Sequence, residues 1–412
     1  MGDRYKEYPK QRTPIAVFNL VRKVLFNQPA LIANIPSLQS WPEDTFERRL
    51  LALGDAIMLR LGSFSTTFVT FHLPNIRYLC NFSGSNAVAL VSFDGDRKVR
   101  FTLLTDSRYL EQAESELSDL IKSHSVQTEI LDQKNTKIST LVAKNIGSAT
   151  VLGAEFRNIS HQVFLELEKA TSNRADMRDL SGLVESLRIV KEPHEIQLIA
   201  VAANIADIAF SRSVALIDQG LTELEFSAKI SAEMMSIGAA GPSFETIVAS
   251  GPNSSRPHAR PSSRTIDLGD LVVIDFGAEF QGYRSDCTRS VFAGNEPRSK
   301  DMARAYASVR KAQEAGIKAI VAGNQVSNVD LATRSALPAD LAPLFTHGTG
   351  HGVGLDIHEA PWVSSRSVEL LLPNMVITVE PGVYKPNNYG IRIEDTLVVT
   401  ANGALSLTEL PK

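Results

Sequence analysis

The chain has 412 residues, of which 43% are hydrophobic and 21% charged, with a formal net charge of −4. These values are ordinary for a globular protein of two sizeable domains and lack the positive balance of a nucleic-acid-binding chain. Cys80 and Cys287 are too few and too far apart in sequence to suggest a disulfide framework. No run of 18 apolar residues is present, so the sequence predicts no membrane span and a cytoplasmic protein.

Residues 1–45 are interpreted as an extension of unknown role. Within it only 17–26, VFNLVRKVLF, has helix-like apolar spacing, and the extension lacks the features of a signal peptide. Strand and helix patterns then alternate over 46–187, which predicts an α/β sheet domain. The patterns are a helix at 46–62, strands at 66–71 and 87–93, a helix at 108–121, strands at 128–132 and 149–156, and a helix at 161–170.

Residues 188–412 combine helical patterns with short, β-branched strand patterns separated by turns. The helical patterns cover 192–218, 222–237, 300–322 and 327–336. Helices on one face of a mostly antiparallel sheet define an α+β domain. No sequence period of 20–50 residues is visible, which argues against a repeat protein.

A first pair of acidic residues lies on a predicted hairpin of this second domain. Strand patterns at 271–275 and 289–292 flank the segment EFQGY, whose Gly indicates a turn. A turn centred near Phe280–Gln281 would place Asp275 directly across from Asp286, with Cβ atoms about 5 Å apart. Two carboxylates at that distance repel each other unless a cation lies between them.

A second pair repeats this arrangement. Strand patterns at 375–380 and 391–399 flank KPNNYG, a cluster of turn residues. A hairpin centred near Asn387 would face Glu380 toward Glu394. The alternative interpretation is that all four acids end strands and point to solvent, as single Asp and Glu residues commonly do. Two hairpins that each bring acids together make that alternative the weaker one.

A third element is a histidine-rich segment, THGTGHGVGLDIHEAP, with His347, His351 and His358. Four glycines lie among these histidines and each costs roughly 1 kcal/mol in a helix interior, so a Gly-rich strand or loop is favoured over a helix. The zincin helix motif is not met, because Trp362 stands where that motif needs His. A single His is more often an ordinary core or surface residue. Three of the chain's eight histidines lie within twelve positions, however, which favours a functional site in this segment.

These residues together predict a centre for two divalent metal ions. The candidate ligands are four carboxylates and one imidazole: Asp275, Asp286, His351, Glu380 and Glu394. Such an oxygen-rich set suits two ions better than one tetrahedral zinc, and it favours Mn²⁺, with Co²⁺ or Zn²⁺ as alternatives. Two ions that share a water lower its pKa from about 15.7 toward neutrality, which indicates hydrolysis by a bridging hydroxide.

The ordered motifs resemble the pita-bread metallopeptidases, a family that includes methionine aminopeptidase, prolidase, aminopeptidase P and creatinase. The resemblance to the Xaa-Pro-cleaving branch is carried by 242–294, by HGTGHGVGLDIHEAP, by MVITVEPGVY and by GIRIEDT. Residues 187–210 resemble the first helix of its catalytic domain, and 73–91 and 103–113 resemble its N-terminal domain. The resemblance implies a pita-bread catalytic domain at 188–412, preceded by a smaller creatinase-like α/β domain at 46–187.

The resemblance also implies roles for single residues. The five candidate ligands match the family's metal ligands, with Asp286 and Glu394 bridging the two ions. Glu380 would also pass the water's proton to the leaving nitrogen. The remaining matches are residues expected at the substrate: His258 and His358 at the scissile carbonyl or leaving group, and His347 and Arg392 behind the ligands or at a substrate carboxylate. Arg366 is a further candidate for holding that carboxylate.

Four positions depart from the family's usual pattern. Arg284 and Cys287 flank Asp286 where smaller or aliphatic residues are common, and Trp362 replaces a frequent Arg. Asn374 stands in place of a frequent Gly, a mild change because Asn tolerates the left-handed conformation. We interpret Cys287 as a small buried strand residue rather than as a ligand. Arg284 and Trp362 bear on the substrate pocket and leave the metal site unaffected.

The function implied is hydrolysis of the Xaa-Pro bond at the N-terminus of peptides, by a homodimeric aminopeptidase P. Such a bond needs a dedicated site because the amide before proline lacks an N–H. A prolidase, which takes only dipeptides, is the main alternative. A non-catalytic pita-bread binding module is disfavoured because this sequence has all five ligands, which such modules usually lack. A creatinase is disfavoured because creatinases lack this full ligand set. A methionine aminopeptidase is disfavoured because those enzymes usually lack the N-terminal α/β domain predicted here.

Overall fold

The structure is a computed structural model that describes residues 41–62, 65–93, 98–134 and 136–412. The helix predicted at 17–26 lies outside these residues. The described chain forms two compact units, an N-terminal unit of Trp41–Arg188 and a C-terminal unit that begins at Ile189 and runs to Lys412.

The N-terminal unit is an α/β domain built on one six-stranded sheet. Its elements are α1 (Thr45–Leu61), β1 (Thr66–Thr70), α2 (Leu73–Cys80), β2 (Ala87–Phe93), β3 (Val99–Thr105), α3 (Leu110–Glu116), α4 (Ser118–Lys122), β4 (Val126–Asp132), α5 (Ile138–Asn145), β5 (Val151–Ala154), α6 (His161–Thr171), β6 (Asp176–Asp179) and α7 (Leu183–Arg188). The strand order is β4-β3-β2-β1-β5-β6. The sheet is mixed, since β2 is antiparallel to both its neighbours while the outer pairs are parallel.

The centre of this sheet is buried almost throughout. Strands β1 and β2 expose almost none of their residues, as expected for near-continuous apolar and β-branched sequence that is covered on both faces. Val69, Leu90, Leu104 and Leu152 lie in one core cluster, against which residues of α5 and α6 pack. The alternation of strands and helices predicted the class of this unit correctly.

The C-terminal unit carries the remaining helices and strands. Its elements are α8 (Pro193–Ser213), α9 (Glu223–Ile237), β7 (Gly241–Pro242), β8 (Ile247–Ser250), β9 (Leu271–Phe276), β10 (Ala278–Phe280), β11 (Tyr283–Arg284), β12 (Cys287–Phe292), α10 (Lys300–Lys318), α11 (Val326–Ser335), β13 (Gly350–Gly352), β14 (Glu359–Val363), β15 (Val376–Val379), β16 (Gly382–Lys385), β17 (Tyr389–Arg392), β18 (Asp395–Thr400) and β19 (Gly403–Ser406).

Every strand pairing in this unit is antiparallel. Small sheets of order β11-β10-β7 and β12-β9-β8, a five-stranded sheet of order β14-β13-β15-β18-β19, and the ribbon β16-β17 follow one another. Helix α10 places Met302, Val309 and Ala312 in a core cluster that also contains Ile391 of β17. The predicted α+β architecture is therefore confirmed, and the strand pairs that carry the acidic residues are packed against helices.

Helix α8 is an apolar core helix. It continues as a 3₁₀ helix, Val214–Gln219, and an 18-residue stretch within Pro193–Gln219 is apolar enough to cross a membrane, with a mean hydropathy of 1.5. In this protein 67% of that stretch is buried by the rest of the chain. Phe210 stacks on Phe276 at 5.1 Å between ring centroids, and Tyr283 donates a hydrogen bond to Glu195.

Most boundaries of the predicted elements lie close to the observed ones, but one helix is divided and several elements were not predicted. The helix predicted over 108–121 is two short helices, α3 and α4, that meet at Leu117. In the N-terminal unit, helices α2, α5 and α7 and strands β3 and β6 had no counterpart among the predicted elements. Asn374 has φ of 70°, the left-handed conformation that its side chain tolerates.

Candidate metal centre

The first acidic hairpin has a register different from the predicted one. Asp275 of β9 lies opposite Thr288, not opposite Asp286, so the prediction is wrong by two positions. The cause is the turn, a two-residue loop at Gln281–Gly282 with φ of 48° and 80°. Positive φ at both residues is the pattern of the tight turn that best fits the twist of a hairpin. Moving the turn centre by one residue moves every cross-strand partner by two.

The acids of this hairpin still meet, but along a diagonal. Asp286 precedes β12 by one residue and lies two positions from Thr288 on the same face of the sheet. Diagonal neighbours are within reach of each other's side chains. Ligand oxygens of Asp275, Asp286 and Glu394 lie within 4.8 Å of one another. Thr288, which occupies the position between the two acids, donates to Glu394 Oε2 at 2.7 Å.

The second acidic hairpin has the predicted register. Val379 pairs with Asp395, and Gly382 pairs with Arg392, so Glu380 and Glu394 face each other between the two paired segments. The hairpin ends in a short turn in which Asn387 has φ of 56°. Asp286, Glu380 and Glu394 lie between an inner and an outer strand pair, where regular pairing is interrupted, whereas Asp275 is paired within β9.

His351 reaches these acids from strand β13, beside β15. Its Nδ1–H donates to Gly352 O at 3.0 Å, so in the neutral ring Nε2 carries the lone pair. Nε2 lies 3.3 Å from Glu380 Oε1 and 3.6 Å from Asp286 Oδ2. A Cβ on Gly350 would lie 2.1 Å from Thr378 O, which explains why the strand is Gly-rich and confirms that it is not helical.

The ligand atoms fall into overlapping groups that two ions would satisfy. Each group brings its ligand atoms within 4.8 Å of one another: Asp275, Asp286 and Glu394; His351, Glu380 and Glu394; Asp286, His351 and His358. Asp286, His351 and Glu394 each belong to two groups, and of these three the two carboxylates have a second oxygen with which to bridge a pair of ions. His358 was predicted to lie outside the ligand set, but its ring lies 4.4 Å from that of His351.

The electrostatics of the cluster call for positive charge. Asp286 and Glu394 are buried, and Asp275 Oδ1, Asp286 Oδ1 and Glu394 Oε1 have no hydrogen-bond donor among the described residues. Burial, and then the neighbouring carboxylates, raise the pKa of Asp286 and of Glu394 well above their usual range. Burial raises the pKa of Glu380 to about 8 and lowers that of His351 to about 4. Orphaned, crowded oxygen donors of this kind fit divalent cations.

Arg392 holds the cluster from behind. It is 2% exposed, and four of its N–H groups are bound by protein acceptors. These acceptors are Asp275 Oδ2 at 2.6 Å, Thr288 Oγ1 at 3.0 Å, the Tyr384 hydroxyl at 2.8 Å and Pro257 O at 3.1 Å. Of the two roles implied by resemblance, this geometry favours fixing a ligand over presenting a free guanidinium to a substrate carboxylate.

The remaining predicted residues lie at different distances from the cluster. His347 Nε2 is 3.0 Å from the Tyr384 hydroxyl, which connects it to Arg392. His258 and His358 are both exposed, and His258 contributes to a lowered pKa at His358, after burial and against the effect of Asp275. Arg366 lies in an exposed turn after β14, and no hydrogen bond or ion pair between its side chain and the cluster is found in the described chain.

The positions that depart from the family pattern surround the cluster without replacing a ligand. Cys287 is fully buried beside Glu394 O, as predicted. Arg284 pairs with Glu279 at 2.8 Å and donates to the carbonyls of Ser243 and Leu355. Trp362 is 54% exposed, with its ring 6.4 Å from that of His351. Trp362 is therefore an exposed aromatic side chain close to the cluster.

Sequence reasoning missed Arg289, which is 1% exposed and completely hydrogen-bonded. Its five N–H groups meet five acceptors: Pro411 O, Thr288 O, Glu394 O, Asp395 Oδ1 and Leu410 O, at distances of 2.5–3.0 Å. It therefore fixes the backbone at Glu394 to strand β12. Thr288 and Tyr384 were missed as well. Nothing in the local sequence distinguishes these residues from ordinary strand residues, because their partners are distant along the chain.

Comparisons with known proteins agree with this geometry. A model of metallopeptidase family M24 matches residues 197–401, and one of the creatinase/prolidase N-terminal domain matches 63–190. An uncharacterized peptidase of Bacillus subtilis, YqhT, is 36% identical over 82% of this chain and 92% of its own length. The Xaa-Pro dipeptidase of Pyrococcus furiosus is 40% identical over 58% of this chain and 69% of its own.

Two solved structures show the same fold. The Xaa-Pro dipeptidase from Bacillus anthracis has a TM-score of 0.81 and 35% identity, covering 89% of this chain and 98% of its own. The X-Pro aminopeptidase from Thermotoga maritima has a TM-score of 0.75 and 32% identity, covering 84% and 96%. The fold and the acidic cluster define a metal-dependent hydrolase that acts on peptides. The chain belongs to metallopeptidase family M24, of the pita-bread fold, and carries the creatinase-type N-terminal domain.

Proposed function

We propose that this protein is an Xaa-Pro aminopeptidase, which removes the first residue from peptides whose second residue is proline. The observation that carries the proposal is the convergence of four carboxylates and His351 into overlapping ligand groups. Relatives named Xaa-Pro dipeptidase and Xaa-Pro aminopeptidase support the choice of the Xaa-Pro bond. Dipeptidase activity is the second candidate.

The cluster would hold two divalent ions, with Asp275, His351 and Glu380 as terminal ligands and Asp286 and Glu394 as shared ones. When bound, the ions supply Lewis acidity and a nucleophilic water at neutral pH. Glu380 would be the residue that accepts a proton at its carboxylate and passes it to the proline nitrogen as the C–N bond breaks. The products are the free N-terminal amino acid and a shortened peptide that begins with proline, so one water is consumed for each bond cleaved.

The histidines around the cluster have roles at the substrate. His358, exposed and beside His351, donates to the carbonyl oxygen as negative charge develops there. His258 lies on the loop whose Pro257 carbonyl is bound by Arg392 and contacts the leaving group or carbonyl. His347 is hydrogen-bonded to Tyr384 and orients this side of the site.

The arrangement of arginines supports the aminopeptidase over the dipeptidase. A dipeptide-only enzyme must recognise the free carboxylate of the proline, a task suited to a guanidinium with free N–H groups. Arg392 directs most of its N–H groups to protein acceptors, and Arg366 lies in an exposed turn. A peptide that continues beyond proline needs no such anchor.

The decisive experiment compares cleavage rates of Xaa-Pro, Xaa-Pro-Yaa and Xaa-Ala-Yaa peptides with added Mn²⁺. We expect release of the first residue from Xaa-Pro-Yaa, and far slower cleavage of the Ala analogue, since the rigid proline ring fills a shaped pocket. Cleavage of dipeptides alone would make the protein a prolidase. Equal rates on Ala and Pro peptides would remove it from the Xaa-Pro branch.

His358→Ala tests the chemical step separately from metal binding. We expect the variant to retain its metal and to lose roughly 10²–10³ in kcat, the usual loss when one oxyanion-stabilising group is removed. Elemental analysis of the variant gives the metal content. Loss of metal would instead place His358 among the ligands, in the group it forms with Asp286 and His351.

Three further features remain proposals of lower rank. Mn²⁺ is proposed as the ion because the ligands are mostly oxygens. A homodimer is proposed from the family resemblance alone, and a cytoplasmic location from the sequence composition. Metal analysis of the purified protein, light scattering and cell fractionation test them in turn.

A further inference from the structure

The loop that carries His258 is held at both ends by one buried side chain. This loop, Ser250–Ser262, here called the His258 loop, begins at the end of β8 and includes a 3₁₀ turn at Gly251–Ser255. His258 is exposed near its far end. An exposed loop that places a side chain at a reacting centre needs something to fix its position, because loop backbone is otherwise mobile.

Glu223 provides that attachment from the first turn of α9. It is 0% exposed. Its Oε1 accepts hydrogen bonds from Ser250 N at 2.7 Å and Ser250 Oγ at 2.8 Å. Its Oε2 accepts from Ser262 N at 3.0 Å and Ser262 Oγ at 2.6 Å. Asn253 Nδ2, from within the loop, lies 3.1 Å from both oxygens.

Every donor bound to Glu223 in these contacts is neutral and belongs to the His258 loop. A buried carboxylate is costly unless it is fully hydrogen-bonded, and apolar residues of similar volume often give equal or greater stability. The arrangement is therefore poorly explained by stability alone. What it does achieve is geometric, because two oxygens on one rigid side chain fix the separation and orientation of the two ends of the loop.

Two other contacts tie the same loop to the metal centre. Gly390 N donates to Ser254 Oγ at 2.7 Å, and a Cβ on Gly390 would lie 1.9 Å from Ser254 O, so the loop packs directly on β17. Arg392 donates to Pro257 O at 3.1 Å and to Asp275 Oδ2 at 2.6 Å. The residue before His258 is thus one side chain away from a candidate metal ligand.

We infer that Glu223 is a positioning residue for His258, and that it acts by clamping the ends of the His258 loop so that the imidazole meets the substrate. The inference rests on the proposed function only for the role of His258. Displacement of a reacting group by about 1 Å is enough to cost on the order of 10²-fold in rate. Loosening of the clamp should therefore lower turnover without touching a metal ligand.

Glu223→Gln tests the inference with a change of nearly constant shape. The amide nitrogen of Gln is a donor, so it faces loop donors that it cannot accept from. We expect kcat/KM on an Xaa-Pro-Yaa peptide to fall by about 10–10²-fold, mainly through kcat. We expect Mn²⁺ affinity, measured by calorimetry, to stay within about two-fold of the unmodified protein, since Glu223 contacts none of the candidate ligands and Arg392 keeps its contacts with Asp275, Thr288 and Tyr384.

Glu225→Gln is the matched control. Glu225 lies in the same helical turn but is exposed and accepts from Thr222 N and Oγ, in a capping box that Gln also supports. This variant should keep wild-type kcat/KM. If Glu223→Gln proves too unstable to purify, Ser262→Ala removes a single donor to the clamp and should give a smaller loss in the same direction.

A double-mutant cycle separates positioning from a general structural role. In a His258→Ala background, Glu223→Gln should have little further effect on kcat, because the group it positions is gone. Full additivity of the two losses, or normal kcat in Glu223→Gln, would overturn the inference. So would an unchanged kcat in His258→Ala alone.

Hydrogen exchange gives a readout that needs no substrate. In Glu223→Gln, amide exchange should rise within 250–262 and stay unchanged in α9 and β9. A rise spread over those elements would indicate general destabilisation and overturn the inference. If the unmodified protein shows no Xaa-Pro activity, the proposed function fails, while the exchange data still decide whether Glu223 clamps the loop.

Discussion

Both acidic hairpins of the C-terminal unit supply candidate metal ligands, but they bring their acids together with different strand registers. In the second hairpin, Glu380 and Glu394 face each other directly, whereas in the first, Asp275 and Asp286 meet along a diagonal with Thr288 at the position between them. The diagonal arrangement gives the first hairpin an extra polar side chain at the centre. The Thr288 hydroxyl donates a hydrogen bond to Glu394, so a residue of the first hairpin positions a candidate ligand that belongs to the second hairpin.

The difference originates in the turns, which are far from the acids. Gln281–Gly282 closes the first hairpin with two residues, and a longer turn with Asn387 at its tip closes the second. Turn length and type set the register of the strands. A shift of one residue in either turn would change which residues of that hairpin face each other, and so would move its candidate metal ligands. The metal centre therefore depends on two short turns that supply none of its candidate ligands.

The largest effect should come from removing one shared ligand in each hairpin. We expect Asp286→Ala and Glu394→Ala each to lose bound metal together with about 10³-fold or more of activity, because each acid belongs to two of the three ligand groups. Elemental analysis and peptide hydrolysis measure the two losses.

Asp340→Ala, an exposed acid paired with Arg304, is the control and should keep both properties. Full metal occupancy with normal turnover in either ligand variant would contradict the assignment of the centre.

The next effect should be confined to the break in the first hairpin. A Cβ on Gly277 would lie 1.9 Å from Ser285 O, so Gly277→Ala must move backbone and should cost about 3 kcal/mol of unfolding free energy. Thermal denaturation measures the loss. Gly241→Ala, at a neighbouring strand where a Cβ meets nothing within 4 Å, should be tolerated. Equal stability of the two variants would show that the break is not sterically determined.

A smaller effect compares the threonines of the two hairpins, both fully buried. Thr288→Val removes a 2.7 Å hydrogen bond to Glu394 and an acceptor for Arg392, and should weaken Mn²⁺ binding by about 10–10²-fold. Thr378→Val removes a longer 3.3 Å contact to Glu380 and an acceptor for the backbone N–H of His351, and it should weaken Mn²⁺ binding less because neither bond holds a shared carboxylate. Calorimetric titration with Mn²⁺ measures both. Equal losses would mean that the diagonal register gives the first hairpin no special role.

The smallest effect concerns the turns. Gln281 has φ of 48°, and a non-Gly residue in that region is strained, so Gln281→Gly should raise the free energy of unfolding by about 0.5–1 kcal/mol. Asn387→Gly should change it by less than about 0.5 kcal/mol, since Asn adopts this conformation readily. Urea unfolding of the metal-free protein measures both changes. A larger increase in the free energy of unfolding for Asn387→Gly than for Gln281→Gly would contradict the claim that Gln281 is the more strained turn residue.

The sequence predicted the second hairpin better than the first for a physical reason. KPNNYG contains two Asn residues and a Pro, strong turn formers that fix the centre of the hairpin. EFQGY contains one Gly, and Gln gives a weaker hairpin signal than Asn or Asp before Gly, so the centre was placed one residue early. The class of both domains and the identity of the five candidate ligands followed from strand patterns and residue chemistry, supported by the family resemblance.

The residues that sequence reasoning missed share another property. Their hydrogen-bond partners are distant in sequence and come close only in the folded chain, as seen for Arg289, Glu223 and Thr288. No local sequence pattern predicts such contacts. A Glu in the first turn of a helix, as Glu223 is, is ordinarily explained by the helix dipole. Only its complete burial and its neutral loop donors distinguish it, and both are properties of tertiary structure.

The burial of helix α8 has a consequence for how the chain is made. Its apolar surface is covered in part by Phe276 and by Tyr283, which are synthesised more than sixty residues after the helix. During translation the helix is therefore synthesised before the residues that bury it. Until those residues are added, the helix exposes to water a surface as apolar as that of a membrane-spanning helix. Folding of the C-terminal unit must bury this helix promptly, because exposed apolar surface of that kind is what drives aggregation and chaperone capture of nascent chains.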